Sequence, residues 1–306
     1  MNVLIVGLGS IARKHITALR AICPEINVTA LRHSSKSTPE EGITDLYSVE
    51  EISSCGQQFD FAIISNPSSE HAAAIRALLP HKLPLFIEKP LTHTPQGLEL
   101  LINDIQESGV PTYVACNLRF LDCITQLKSI LSQKSVRINE VNIYCGSYLP
   151  NWRPGTNYKE VYSARPELGG GVHMDLIHEL DYTYYLFGKP EKVHEVRKSH
   201  SSLNIKATDY AAYCLEYENF CTSVILNYYR RDPKRQIEIV CEHGTLLIDL
   251  LSNSIYENSK LIYHSDNTIL NTYEKQLRYF INCLHNKLPM FNDVQEASTI
   301  LKTFIF

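Results

Sequence analysis

The sequence predicts an α/β protein in two parts: a doubly wound parallel sheet, then an α+β domain on a largely antiparallel sheet. Three observations predict it. Over roughly the first 116 residues, short apolar runs alternate with stretches of helical length, the pattern of a parallel sheet covered on both faces. A glycine-rich turn, Gly7-x-Gly9-x-x-Ala12, stands where the first strand would meet the first helix. From about residue 192 to 250, strand-like runs follow one another through short turns with no helix between them, which indicates antiparallel pairing.

Taken in order, residues 3–6 read as the first strand. Residues 11–22 read as a helix with Ile11, His15, Ala18, Leu19 and Ile22 on its inner face. Strands follow at 27–31 and 59–65, a helix at 70–79, a strand at 85–87, a helix at 94–108 and a strand at 112–115. After Phe120 the texture changes. A helix at 124–131 leads to a strand at 140–147, a loop rich in Pro and Gly from 149 to 171, and a helix at 173–187. Strands at 192–198, 208–216, 221–229, 236–241 and 246–250 precede helices at 273–285 and 294–304. A chain of 306 residues has room for two cores. The boundary falls near residue 118, giving domains 1–118 and 119–306.

Composition excludes several classes. Hydrophobic content of 44% with 20% charged residues is that of a globular protein. A net charge of -4 opposes binding to nucleic acid or to an anionic membrane, since both require a basic surface. No apolar run approaches the length of a membrane span, and residues 3–6 are too few for a signal-peptide core. A cytoplasmic location is therefore expected. The nine cysteines are scattered without a C-x-x-C pair, which reads as reduced thiols used as small apolar residues.

The glycine turn carries chemistry because of where it sits. Gly7 would make the tight turn, Gly9 would admit a pyrophosphate to the backbone, and Ala12 would let helix and strand pack closely. With Ser10 and Ile11, these residues open a helix whose N–H groups attract phosphate. A bare strand-turn-helix junction, or the glycine turn of a methyltransferase, is the competing reading. At the end of the second strand an NAD enzyme places a carboxylate for the ribose hydroxyls. Here the segment reads Arg32-His33-Ser34-Ser35-Lys36, with no acid. Its cations and hydroxyls suit a 2′-phosphate, so NADP is preferred over NAD, against the alternative of a solvated basic loop.

Further segments complete the pattern: Ser65-Asn66-Pro67 with His71, Glu88-Lys89-Pro90, Asn117-Leu-Arg119-Phe120, Gly169-Gly-Gly171, and Asp175-Leu-Ile-His178-Glu179-Leu-Asp181-Tyr182. With the glycine turn they make the chain resemble, over nearly its whole length, the glucose–fructose oxidoreductase/inositol dehydrogenase (Gfo/Idh/MocA) family. The resemblance implies a Rossmann domain followed by an α/β domain whose open, mostly antiparallel sheet serves as an oligomer interface, as homodimer or homotetramer. It implies reversible oxidation of a sugar or cyclitol hydroxyl to a ketone. It also implies a cofactor set extending to Ser65, Asn66, Pro67, His71, Glu88, Lys89 and Asn117.

That chemistry fits these residue types. Removing hydride from a carbinol carbon requires its hydroxyl proton to leave, hence a base with a pKa near neutrality. By resemblance His178 takes that role, and Lys89 steadies the charge that develops on the oxygen. Glu88 would orient the lysine or the cofactor. Asp175, His178 and Tyr182 would share one helix face toward a cleft assembled from both domains, with Asp175 orienting the imidazole or binding a substrate hydroxyl. Many family members carry D-x-x-x-H where this chain has Asp175-x-x-His178, so the place of Asp175 is the less secure. The D-x-x-H-E-x-D-Y variant resembles oxidoreductases of surface-sugar or sialic-acid-like biosynthesis.

Arg119, Trp152 and Arg153, with Tyr158, offer aromatic and guanidinium groups for a sugar-like substrate, or simply anchor their loop. His173 and His178, with Asp175 and Asp181 nearby, could be imagined as a metal site, but the two histidines are five residues apart and not at the i, i+3 or i, i+4 spacing of a helical metal pair, so no metal is expected. Two other functions remain open on this fold. One is elimination or glycoside cleavage with a retained cofactor; the other is a non-catalytic NAD(P)-sensing regulator.

Overall fold

The computed structural model describes residues 1–34, 38–133 and 136–306. They form two compact units, Met1–Asn117 with Thr272–Lys302, and Leu118–Asn271 with Thr303–Phe306. In the first, the elements are β1 (Asn2–Val6), α1 (Ser10–Ile22), β2 (Asn27–Leu31), β3 (Ile43–Leu46), α2 (Glu50–Ser54), β4 (Phe61–Ile64), α3 (His71–Leu78), β5 (Leu85–Ile87), α4 (Leu98–Ser108) and β6 (Thr112–Val114). Among the described residues, six parallel strands run in the order β3-β2-β1-β4-β5-β6. The strands β4 and β5 are buried at every position, as strands covered on both faces must be. The order reverses between β1 and β4, the switch point where doubly wound sheets bind ligands beyond their strand ends. Sequence alone finds neither β3 nor α2. Ile43-Thr-Asp-Leu46 is short, lies at the sheet edge and is buried only at its last residue, so it carries little hydrophobic signal.

The second unit holds α5 (Asp122–Gln133), β7 (Ile138–Tyr148), α6 (Val172–Asp175), α7 (Ile177–Phe187), β8 (Lys192–Lys198), β9 (Tyr210–Glu216), β10 (Cys221–Asn227), β11 (Tyr229–Cys241), β12 (Gly244–Asp249), β13 (Ser254–Glu257) and β14 (Lys260–His264). Among the described residues, eight strands form a sheet ordered β14-β13-β12-β11-β7-β10-β9-β8. Only the β7–β10 pairing in it is parallel. Alternate residues, such as Val141, Ile143 and Cys145 of β7 or Val224 and Leu226 of β10, are buried, while Glu140, Ser223 and Cys214 of the intervening positions are exposed. One face is thus core. The helix expected over 173–187 is two helices, because Leu176 leaves the helical region at φ -97° and ψ 30°. The single face proposed for Asp175, His178 and Tyr182 does not exist. Asp175 ends α6 and the other two belong to α7.

Last come α8 (Asn271–Asn286) and α9 (Val294–Phe304). Sequence alone assigns residues 119–306 to one domain, whereas the structure returns Thr272–Lys302 to the first unit. The reason is an aromatic seam. Phe280 packs edge-on against Phe61 of β4 and Phe86 of β5, with ring centroids 5.2 and 5.4 Å apart. Beyond α8, the Val114 N–H donates to the Asn292 carbonyl and Asn292 Nδ2 donates back to Val114 O, at 2.8 and 2.7 Å. No helix among the described residues is long and apolar enough to cross a membrane.

Candidate active site

Gly7 leaves β1 with φ +81°, and its N–H donates to Leu31 O at 3.0 Å. A Cβ at this position would stand 2.9 Å from Asn66 Cα, so both conformation and space demand glycine. Gly9 caps α1 without a side-chain hydrogen bond, and the first turn of α1 carries no acid. Nothing lies within 4 Å of where a Gly9 Cβ would be. Open space at Gly9 thus adjoins the N-terminus of a 13-residue helix, beside exposed Ser10 and half-buried Ile11. Ala12 is fully buried beneath them. This cradle fits a pyrophosphate.

The strand end next to it is tied down. The Ser65 hydroxyl lies 3.1 Å from Val6 O and 3.0 Å from Gly7 O, joining the β4 tip to the glycine turn. Asn66 is half-buried and Pro67 exposed. His71 is buried, with Nε2 3.0 Å from Asn66 O and Nδ1 2.9 Å from Pro90 O. Each carbonyl calls for an N–H donor, and a neutral imidazole can supply one at a time. Burial pushes the His71 pKa down, against the pull of those carbonyls.

Pro90 follows a cis Lys89–Pro90 bond at the end of β5. Glu88, only 8% exposed, accepts from His15 Nε2 at 2.6 Å through one oxygen and from the Lys89 N–H at 3.2 Å through the other. Burial opposes the Glu88 charge, yet the hydrogen bond from His15, the charges of His15 and Lys89, and the Lys89 N–H together hold its pKa below the ordinary value. The backbone of half-buried Lys89 is gripped on both sides, by Glu88 before it and by His71 through Pro90 after it. His15, read from sequence as one of the residues on the apolar face of a helix, is the buried anchor of this clamp. A polar ring on a buried helix face was its signal, because such a ring needs a partner. Asn117 is buried, and its Nδ2 donates to Thr272 Oγ1 at 2.6 Å.

At the tip of β2, Arg32 is not open to solvent. Its Nη1 donates to Asp45 Oδ2 at 3.0 Å and to Thr38 O at 2.9 Å, with 10% of the arginine side chain and 9% of the aspartate's exposed. His33 is exposed and Ser34 half-buried. Ser35 and Lys36 lie outside the described residues.

In the second unit, half-buried Asp175 accepts a hydrogen bond of 2.6 Å from Tyr228 Oη. Burial, and then the charge of Asp175, keeps that phenol protonated well above its usual range. Exposed Trp152 stacks edge-on against Tyr228 with centroids 5.3 Å apart, and its Nε1 donates to Ser147 Oγ at 2.9 Å. Arg153 is exposed beside it, and Tyr158 donates to Leu203 O at 3.1 Å. Tyr228 had no sequence signal beyond its place in a strand-like run. His178 lies half-buried near the start of α7.

Two expected ligand contacts are placed elsewhere. Arg119 has a fully buried side chain and grips Asp181 through Nε and Nη2, at 2.9 and 2.7 Å. Tyr182 is fully buried, and burial, then the charge of Glu179, pushes its phenol pKa well up. Glu179 itself is sealed in a 2.6 Å pair with Arg235. Both acids after His178 are thus structural. So is the glycine run: a Cβ on Gly170 would fall 2.1 Å from Tyr162 O. Among the described residues, no group of three His, Cys, Asp or Glu side chains is arranged to hold a metal ion.

Residues 1–116 match the oxidoreductase family model with an NAD-binding Rossmann fold, and residues 124–247 match the Gfo/Idh/MocA C-terminal domain. The chain belongs to the Gfo/Idh/MocA oxidoreductase family. It is 27% identical over 173 residues to scyllo-inositol 2-dehydrogenase (NADP(+)) IolW of Bacillus subtilis, covering 56% of this chain and 46% of that enzyme. It is 26% identical over 158 residues to the 2,7-anhydro-N-acetylneuraminate hydratase of Mediterraneibacter gnavus, covering 50% and 38%. The match thus spans less than half the length of either curated relative. The fold is shared with the WlbA dehydrogenase of Bordetella pertussis, solved with NADH and UDP-GlcNAcA. The TM-score is 0.79 at 19% identity, covering 98% of this chain and 92% of that one.

Proposed function

We propose that this Gfo/Idh/MocA protein is an NAD(P)(H)-dependent oxidoreductase, preferring NADP(H), that interconverts a hydroxyl and a ketone on a sugar, nucleotide sugar or related polyol. The observation that carries the reading is the double clamp on Lys89, built beyond the end of β5, one strand from the switch point at which the glycine turn opens α1. A bound nicotinamide would accept or supply the hydride. Gly7, Gly9, Ser10, Ile11 and Ala12 hold its pyrophosphate; Ser65, Asn66 and Pro67 border that site. The Lys89 ammonium donates to the reacting oxygen and stabilises its negative charge. His178 removes the alcohol proton or returns it. Asp175, oriented by Tyr228, accepts from a substrate hydroxyl, and Trp152 with Arg153 borders the sugar. The names of the relatives support a polyol or sugar substrate, and surface-sugar or sialic-acid-like biosynthesis in the cytosol is the setting we favour. Copies of the chain associate as a dimer or tetramer through the sheet of the second unit.

Lys89→Ala and His178→Ala should each lower turnover by on the order of a hundredfold while nearly preserving the dissociation constant for NADPH. The measurement is nicotinamide absorbance against a panel of sugars, sugar nucleotides and their keto forms. Full activity in both variants would overturn the assignment. The hydratase among the relatives favours one second reading, in which the cofactor is retained and reset each cycle. Product formation without net change in nicotinamide absorbance would select it.

A further inference from the structure

The ion pair at the tip of β2 bears on cofactor choice. In a doubly wound nucleotide fold this tip borders the ribose 2′ position, where an acid accepts from a hydroxyl or an arginine receives a phosphate. The chain places Arg32 there, but not as a free cation. Arg32 Nη1 is bound both to Asp45 Oδ2 and to Thr38 O. The register explains the partner. Asp45 of β3 stands level with Ala30 of β2, so Arg32, two residues further along the same face, folds back over it. The pair is nine-tenths buried, where charges are weakly screened. The second carboxylate oxygen of Asp45, Oδ1, is buried and accepts no hydrogen bond among the described residues. Its charge is therefore answered chiefly by Arg32.

We propose that Asp45 is a specificity-determining residue: by neutralising Arg32 it sets how strongly the 2′ site favours phosphate over hydroxyl. This rests on the assignment of Arg32 to the 2′ position. With the carboxylate in place, a 2′-phosphate meets a nearly neutral pair and a nearby like charge; without it, the same phosphate meets an unshared guanidinium. A 2′-hydroxyl feels little of either change. Asp45 thus holds the chain nearer to dual cofactor use than Arg32 alone would dictate.

The test is equilibrium binding of NADPH and NADH to the full chain, by calorimetry or nucleotide fluorescence, with no turnover required. Asp45→Asn should tighten NADPH about tenfold, worth about 1.4 kcal/mol, and leave NADH within about twofold on the same screening argument. Arg32→Gln should weaken NADPH selectively. An unchanged or lowered NADPH preference in Asp45→Asn, with Arg32→Gln still selective, overturns the role of Asp45 and spares that of Arg32. If Arg32→Gln leaves the preference untouched, the assignment of the 2′ site fails and this inference with it. Should Asp45→Asn not fold, Asp45→Ser, which leaves room for water beside Arg32, carries the same expectation.

Discussion

His15 and Glu88 are the residues on which the aim of Lys89 turns, because a buried carboxylate is tolerated only while its donors are present. In His15→Leu the helix face stays apolar, but among the described residues Glu88 keeps only the Lys89 N–H of its two donors. The cost should be about 2–4 kcal/mol of unfolding free energy, in the range for breaking a buried charged contact. Glu88→Gln in that background should recover part of it. The coupling measured by a double-mutant cycle in urea should therefore be about 1–3 kcal/mol; strict additivity would show that the two side chains do not work as a unit. Turnover should fall with stability corrected for, while NADPH binding persists. At this scale the sequence was informative wherever a motif encodes a backbone demand. Gly7 is legible because the turn needs it, with its positive φ and the close approach of Asn66. Side-chain partnerships joining distant segments were not: His15 with Glu88, Arg32 with Asp45, Arg119 with Asp181 and Tyr228 with Asp175 depend on register and packing, which no local spacing records.

Among elements, α8 makes the sharpest case. Its buried residues Thr272, Gln276, Leu277, Phe280 and Cys283 form one stripe, and Phe280 wedges between Phe61 and Phe86. Phe280→Ala should destabilise the first unit by about 3–5 kcal/mol, seen as a lowered urea midpoint and faster amide exchange in β4 and β5. Equal protection in those strands would refute the seam. The helix itself was legible from its 3.6-residue period. Its destination was not, since periodicity reveals that a face is apolar and not which sheet covers it. The same limit hid β13 and β14, where Ser254–Glu257 and Lys260–His264 are short and β14 is mostly exposed. The interruption at Leu176 was hidden for another reason: residues on both sides of it have helical composition, and Leu176 with Ile177 stays buried.

For the whole molecule, acid sensitivity follows from histidines that the fold keeps neutral. Burial, and then the charge of Arg197, lowers the pKa of His173 to about 4. Unfolded, the same ring titrates near 6.5. Between those values the unfolded chain binds more protons, so stability falls as pH drops from about 6.5 to 4, by up to about 3 kcal/mol from this residue. Buried His71 shifts in the same direction and adds to the loss. Glu88 acts lower down, its contribution vanishing as pH falls through its depressed pKa. His173→Gln should flatten the urea midpoint between pH 4.5 and 6.5; a slope equal to that of the parent would remove His173 as a source.

The return of Thr272–Lys302 to the first unit also sets an order of events during synthesis. Strands β4 and β5 leave the ribosome long before the phenyl ring that covers them has been made. At ~5–20 residues per second the delay is on the order of ten to forty seconds. Throughout that interval the nascent nucleotide-binding half presents Phe61 and Phe86 without Phe280. Chaperone occupancy should be greatest in that window, and ribosome stalling before codon 280 should strand a fragment prone to aggregation.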